Sequence, residues 1–117
     1  MQMQNFEKHV WAEIDLDALR ANFRTVKQRA GSLPLCAVVK ADSYGHGAVQ
    51  CARIFAEEGA VCLAVSCLTE AMQLRQDGQT LPILILGHVQ PEYAQTLIRE
   101  DITVCLLYTS DAADDLT

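Results

Sequence analysis

Basic residues are scarce. The 117-residue chain has nine lysines and arginines against fifteen aspartates and glutamates, for a net charge of −6, and its cations never cluster. That excludes the basic stripe of a nucleic-acid-binding face. Asp111, Asp114 and Asp115 fall among the last thirteen residues, where no Lys or Arg stands. Without them the charge is −3, so the acidity reports on the tail more than on a partner. No apolar run approaches the roughly 18 residues that span a bilayer, so no membrane helix is expected. Met1 to His9 lacks the basic region and apolar core of a secretory signal. Cys-x-x-Cys is absent too. The five cysteines, Cys36, Cys51, Cys62, Cys67 and Cys105, are odd in number, sit mostly among apolar residues and have no histidine cluster nearby. Neither zinc nor a disulfide framework is expected. Buried reduced thiols in a cytoplasmic protein are.

What is present suits one modest domain. Half the residues are hydrophobic, which argues against disorder, and no internal repeat or low-complexity linker divides the chain. Val10 to Ile14 reads as a short strand. Asp15 stands as a helix N-cap, followed by Leu16, Leu19, Phe23, Val26 and Ala30 at helical spacing and by Gly31 as a stop. Leu35 to Val39 does not alternate, which predicts a strand covered on both faces. Lys40 to Gly47 is a polar loop. A helix over Ala48 to Glu58 ends at Gly59. The strand Val61 to Val65 leads to a helix capped by Ser66 or Thr69, with Ala71, Met72 and Leu74 turned inward, which closes at Gly78. Pro82 introduces the strand Ile83 to Leu86. Pro91 opens a last helix, reaching about Glu100, and Ile102 to Leu106 begins another strand.

Strands begin about 20 to 27 residues apart, the βα repeat of a parallel sheet. An open doubly wound sheet and a (β/α)8 barrel both fit. A barrel needs about 250 residues, so the chain would hold its N-terminal half. After Val104 the sequence turns to small and acidic residues without an amphipathic face, and it resembles translated linker DNA. Residues 105–117 are therefore expected to be a non-native read-through tail following a partial domain over 1–104. A frayed polar C-terminus is the alternative.

Lys40 carries the chemistry. It ends an apolar strand, at the carboxyl end where parallel α/β folds bind ligands. A cation is costly to bury, and an amine kept from water is a usable nucleophile toward an aldehyde. Position alone favours a solvated lysine. Tyr44 adds a phenol able to donate to a phosphate. Gly45 and Gly47 let backbone N–H groups approach an anion near a helix start. His46, between them, reads as structural.

The stretch from Val39 to Gly47 resembles the pyridoxal-phosphate attachment signature of alanine racemases. The likeness extends over nearly all of residues 11 to 104. Ala12 to Leu19 resembles that family's N-terminal opening, and Pro82 to Gly87 its third barrel strand and following turn. The resemblance implies a (β/α)8 barrel of TIM type joined to a C-terminal β domain, in a cytoplasmic homodimer that interconverts L- and D-alanine for peptidoglycan. Lys40 would hold pyridoxal 5'-phosphate as a Schiff base and act as the acid/base on the D-alanine face. Tyr44 would contact the phosphate.

Racemisation moves protons on two faces of one carbon, so it calls for two acid/base groups. The family's second is a tyrosine from the partner subunit's C-terminal domain, and nothing here matches it. Nor does anything match the arginine that faces the pyridine nitrogen. The 117 residues alone are therefore expected to be inactive and poorly soluble. The alternatives are a non-enzymatic barrel protein that binds pyridoxal phosphate for its homeostasis, a racemase that also accepts serine, and a structural fragment with Lys40 merely exposed.

Overall fold

The computed structural model describes residues 9–105. The expected read-through tail lies outside the described residues except for Cys105. The expected first strand does not form. Val10 to Ile14 has no regular structure, and Val10 and Trp11 are exposed. A strand needs a neighbour to share its ladder, and no described segment pairs with this one. Helix α1 (Leu16–Ala30) begins and ends where the residues direct. Asp15 Oδ1 accepts from the N–H of Asp17 at 3.0 Å and of Ala18 at 3.1 Å. Gly31 closes the helix at φ +64°.

Three βα repeats follow. They comprise β1 (Cys36–Val38), α2 (Ala48–Glu57), β2 (Cys62–Val65), α3 (Leu68–Gln76), β3 (Ile83–Ile85), α4 (Ala94–Arg99) and β4 (Ile102–Val104), with a 3-10 turn at Pro91–Tyr93 before α4. All strand pairs are parallel and the order is β1-β2-β3-β4. Parallel crossovers are right-handed, so an order that never reverses places every helix on one side. A doubly wound sheet reverses its order and carries helices on both sides. The side chains agree. Ala37, Val39, Leu63, Val65, Ile83, Ile85 and Ile102 form one core with Ala48, Cys51, Ala52, Ala71 and Leu74 of α2 and α3. The fold is α/β, with four consecutive strands of barrel type and the helices outside.

The alternate residues, Cys36, Val38, Ala64, Leu84 and Thr103, belong to the inner face. There the expectation of two-sided burial fails for β1, whose Cys36 and Val38 are exposed while Ala37 is buried. β1 is an edge strand with one neighbour. β2, between two strands, buries Leu63, Ala64 and Val65. The same openness corrects the expectation of buried thiols. All five cysteines are free, but only Cys51 is buried; Cys62 is half-buried, and Cys36, Cys67 and Cys105 are exposed. Cys36 is the register partner of Cys62. Because the inner face and both sheet edges are open among the described residues, the isolated 117-residue polypeptide is expected to bind the dye ANS and to self-associate. A monodisperse sample without ANS fluorescence would contradict this.

Two devices tie the helices, one to the strand-entering turns and one to each other. The Arg75 guanidinium, on α3, donates to the carbonyls of Gln79, Leu81, Glu100 and Asp101 at 2.7–2.9 Å, fixing the turns that lead into β3 and β4. Between α1 and α2, Glu58 accepts from Arg20 at 2.6 Å and from Arg24 at 2.5 Å; the rings of Phe23 and Phe55, tilted 36° to each other with centroids 5.3 Å apart, join the same two helices. The Arg24 and Arg20 hydrogen bonds hold the Glu58 carboxyl down to about 2, from an ordinary 4.5. A depressed carboxylate stabilises the fold above its unfolded pKa, and that contribution is lost as pH falls through the folded value. Acid unfolding followed by circular dichroism should show a Glu58-dependent loss between pH 4.5 and about 2, absent in Glu58→Gln.

Candidate active site

The β1 ladder ends one residue before Lys40. The Val39 N–H donates to the Ala64 carbonyl at 2.9 Å, and Lys40 leaves the sheet at its carboxyl end, half-buried. Among the described residues no carboxylate pairs with its ammonium.

The expected loop is in fact a single helical turn, Lys40–Tyr44, and it is left-handed. Ala41, Asp42, Ser43 and Tyr44 have φ of 52°, 56°, 55° and 55°. Each such residue costs about 1–2 kcal/mol, so the turn stores about 4–8 kcal/mol. Strain of this kind persists only where the surroundings over-determine it, and it gathers at functional sites. Three restraints are visible. Ser43, buried, donates its N–H to the Val39 carbonyl at 2.9 Å. The Asp42 carboxylate accepts the Ala48 N–H at 2.8 Å, capping α2 from outside the helix. Glu70 of α3 accepts the Ala41 N–H at 2.7 Å.

Glu70 also binds the end of β2. Its Oε1 accepts from the Ser66 N–H at 2.7 Å and from the Ser66 hydroxyl at 2.6 Å. Partial burial pushes the Glu70 carboxyl up, but bonds from the Ser66 hydroxyl and from the N–H groups of Ser66, Ala41 and Cys67 outweigh it and bring it below the usual carboxylate range. Neither Asp42 nor Glu70 stood out in the sequence. The N-cap of α3 is Cys67, without a side-chain cap bond, rather than Ser66 or Thr69. Glu70 lies three residues on, as in a capping box. Cysteine in the Ser/Thr place hides the pattern.

Tyr44 is exposed, at the end of the turn. Gly45 continues at φ +85°, with nothing near a would-be Cβ. His46 Nδ1 lies 3.0 Å from the Ser43 carbonyl, in the structural role its sequence position suggests. At the neighbouring rim, Gly87 allows a close approach: a Cβ there would stand 2.4 Å from the Ser66 carbonyl oxygen. An open cleft of about 640 Å³ between α3 and the β3–α4 connection, lined by Met72, His88 and Tyr93, contains neither Lys40 nor Tyr44.

These residues fit an aldehyde cofactor bearing a phosphate. Lys40 offers an amine free of an ion pair among the described residues, at an open strand end. Tyr44 offers an accessible phenol four residues away, and the turn between them is held in a strained, defined shape. No group of three metal-ligating side chains occurs among the described residues, and no described helix is long and apolar enough to cross a membrane.

Comparison with known proteins identifies the family. Residues 14–117 match the family model of the alanine racemase N-terminal domain. Alanine racemase 1 of Bacillus subtilis is 44% identical over 105 residues, covering 89% of this chain and 27% of its own. The alanine racemase of Desulfovibrio desulfuricans is 44% identical over 117 residues, covering 98% and 31%. Among solved structures, alanine racemase from Bacillus anthracis with bound L-Ala-P superposes with a TM-score of 0.82 at 38% identity, covering 88% of this chain and 27% of that one. That of Clostridium difficile 630 gives 0.79 at 42% identity, covering 86% and 26%. The chain thus spans well under half the length of these relatives. It belongs to the alanine racemase family, as part of the N-terminal domain.

Proposed function

We propose that this chain is the cofactor-attaching part of a pyridoxal-phosphate-dependent isomerase that interconverts L- and D-alanine, within a longer, homodimeric, cytoplasmic enzyme that supplies D-alanine for peptidoglycan. The observation that carries the reading is the placement of Lys40, at the carboxyl end of β1 and directly before the left-handed turn that ends in Tyr44.

The residues divide the work. Lys40 anchors pyridoxal 5'-phosphate through its Nζ. With the cofactor and an amino acid bound, the Lys40 amine would take or return the α-proton on the face belonging to D-alanine. Tyr44 steadies the phosphate through its hydroxyl. When bound, the cofactor's ring delocalises the electron pair left on the α-carbon. The opposite face needs a second acid/base group, which the family takes from the partner subunit. No residue of this chain is assigned that role, nor that of facing the pyridine nitrogen.

The test uses the complete gene product. Borohydride reduction in the presence of pyridoxal phosphate should leave a stable adduct that peptide mapping places on Lys40, and the protein should racemise alanine. An adduct without turnover of either enantiomer would favour a cofactor-handling protein, and no adduct would remove the reading altogether. The boundary at residue 104, with a read-through tail over 105–117, is likewise a proposal, resting on the compositional break after Val104. The family match runs through residue 117, and an intact gene reproducing that tail would overturn it.

A further inference from the structure

We infer that Glu70 is a positioning residue for Lys40, acting through the left-handed turn and not only as the cap of its own helix. A capping glutamate serves the N-terminus of its own helix, and the two bonds from Ser66, just ahead of α3, stay at that end. The third bond is different in kind. It crosses from α3 to the end of β1, 29 residues away in sequence, and lands on the Ala41 N–H. Ala41 is the first of the four left-handed residues. The opening N–H groups of a helical turn find no carbonyl within it, so the Glu70 carboxylate supplies what the turn cannot.

The peptide unit that Glu70 grips joins Lys40 to Ala41. Pinning its N–H fixes the rotation of Lys40 about its Cα–C bond, and hence the angle between the strand and the turn. Released, Ala41 would relax toward the right-handed or extended regions that L-residues prefer, and both Lys40 and Tyr44 would lose their relation to the sheet. By holding Ser66 with one oxygen and Ala41 with the other, Glu70 also ties the carboxyl ends of β1 and β2 together.

The inference rests on Lys40 as the attachment site, but its first readout needs no cofactor. In the complete gene product, Glu70→Gln keeps the size and removes one acceptor oxygen. Amide hydrogen exchange over residues 41–43 should rise about tenfold or more, the worth of a charge-assisted hydrogen bond. The fraction of Lys40 trapped by borohydride at a limiting pyridoxal phosphate concentration should fall by a similar factor. Adding Ala41→Gly should restore trapping, because glycine takes positive φ without cost. Ser66→Ala, which spares the Ala41 bond, should leave exchange in the turn unchanged. Should Glu70→Gln fail to fold, Glu70→Asp keeps the charge beside Ser66 but is one methylene short of Ala41, and it should give the same faster exchange. Wild-type exchange over 41–43 in the folded variant, or a trapping loss that Ala41→Gly does not repair, overturns the inference. Failure of wild-type protein to trap cofactor at Lys40 would overturn the attachment reading, while the exchange data still decide the role of Glu70.

Discussion

Lys40→Ala in the complete gene product should lower alanine racemisation by about three orders of magnitude or more and abolish the borohydride-stable adduct. The amine is asked to serve twice, as covalent anchor and as proton carrier, and general acid/base catalysis alone is worth about 10²–10⁴-fold. Lys40→Arg should be nearly as inactive. A guanidinium keeps the charge but is never deprotonated under these conditions, so it can neither attack an aldehyde nor remove a proton. Stability should move little, within about 0.5 kcal/mol, since the lysine makes no ion pair among the described residues. A folded Lys40→Ala protein that racemises alanine at the parental rate would end the assignment.

The second large effect is expected at Gly87→Ala. Its new Cβ would meet the Ser66 carbonyl oxygen at 2.4 Å, and the obstacle is backbone, which cannot swing away. The ends of β2 and β3 must separate there, against the Leu86 N–H to Val65 carbonyl bond of 2.8 Å. Overpacking of this kind costs about 1–3 kcal/mol. The displacement falls on Ser66, the residue that Glu70 grips, so cofactor trapping at Lys40 should fall as well. Gly78→Ala separates clash from strain. Its position has φ +91° but nothing within 4 Å of the added methyl. It should destabilise by about 1 kcal/mol and leave trapping at Lys40 intact. Unchanged thermal stability in Gly87→Ala would show that the rim is not held as tightly as this spacing implies.

Part of this molecule is written in local chemistry. Asp15 and Gly31 bracket α1 because a side-chain oxygen caps N–H groups two and three residues away, and because glycine tolerates positive φ; both are matters of nearest neighbours. The βα rhythm is equally local, since hydrophobic spacing reports each element's own period. Lys40 and Tyr44 were legible as a pair because both belong to one short signature.

What the sequence left undetermined depends on partners far along the chain. Val10 to Ile14 has strand-like residues but no described neighbour to pair with, and pairing is what makes a strand. An open sheet and a barrel share one local pattern; only the monotonic order β1-β2-β3-β4, with helices on one side, separates them. The left-handed turn runs against the preference of Ala41, Ser43 and Tyr44, so no propensity foretells it. It persists because its own Asp42 binds the start of α2 and Glu70 holds it from α3. Local residue order fixed where helices start, where strands run and which amine stands at a strand end; tertiary contact decided how the turn beside that amine is tied to its neighbours, because the Glu70 bond to it closes across 29 residues.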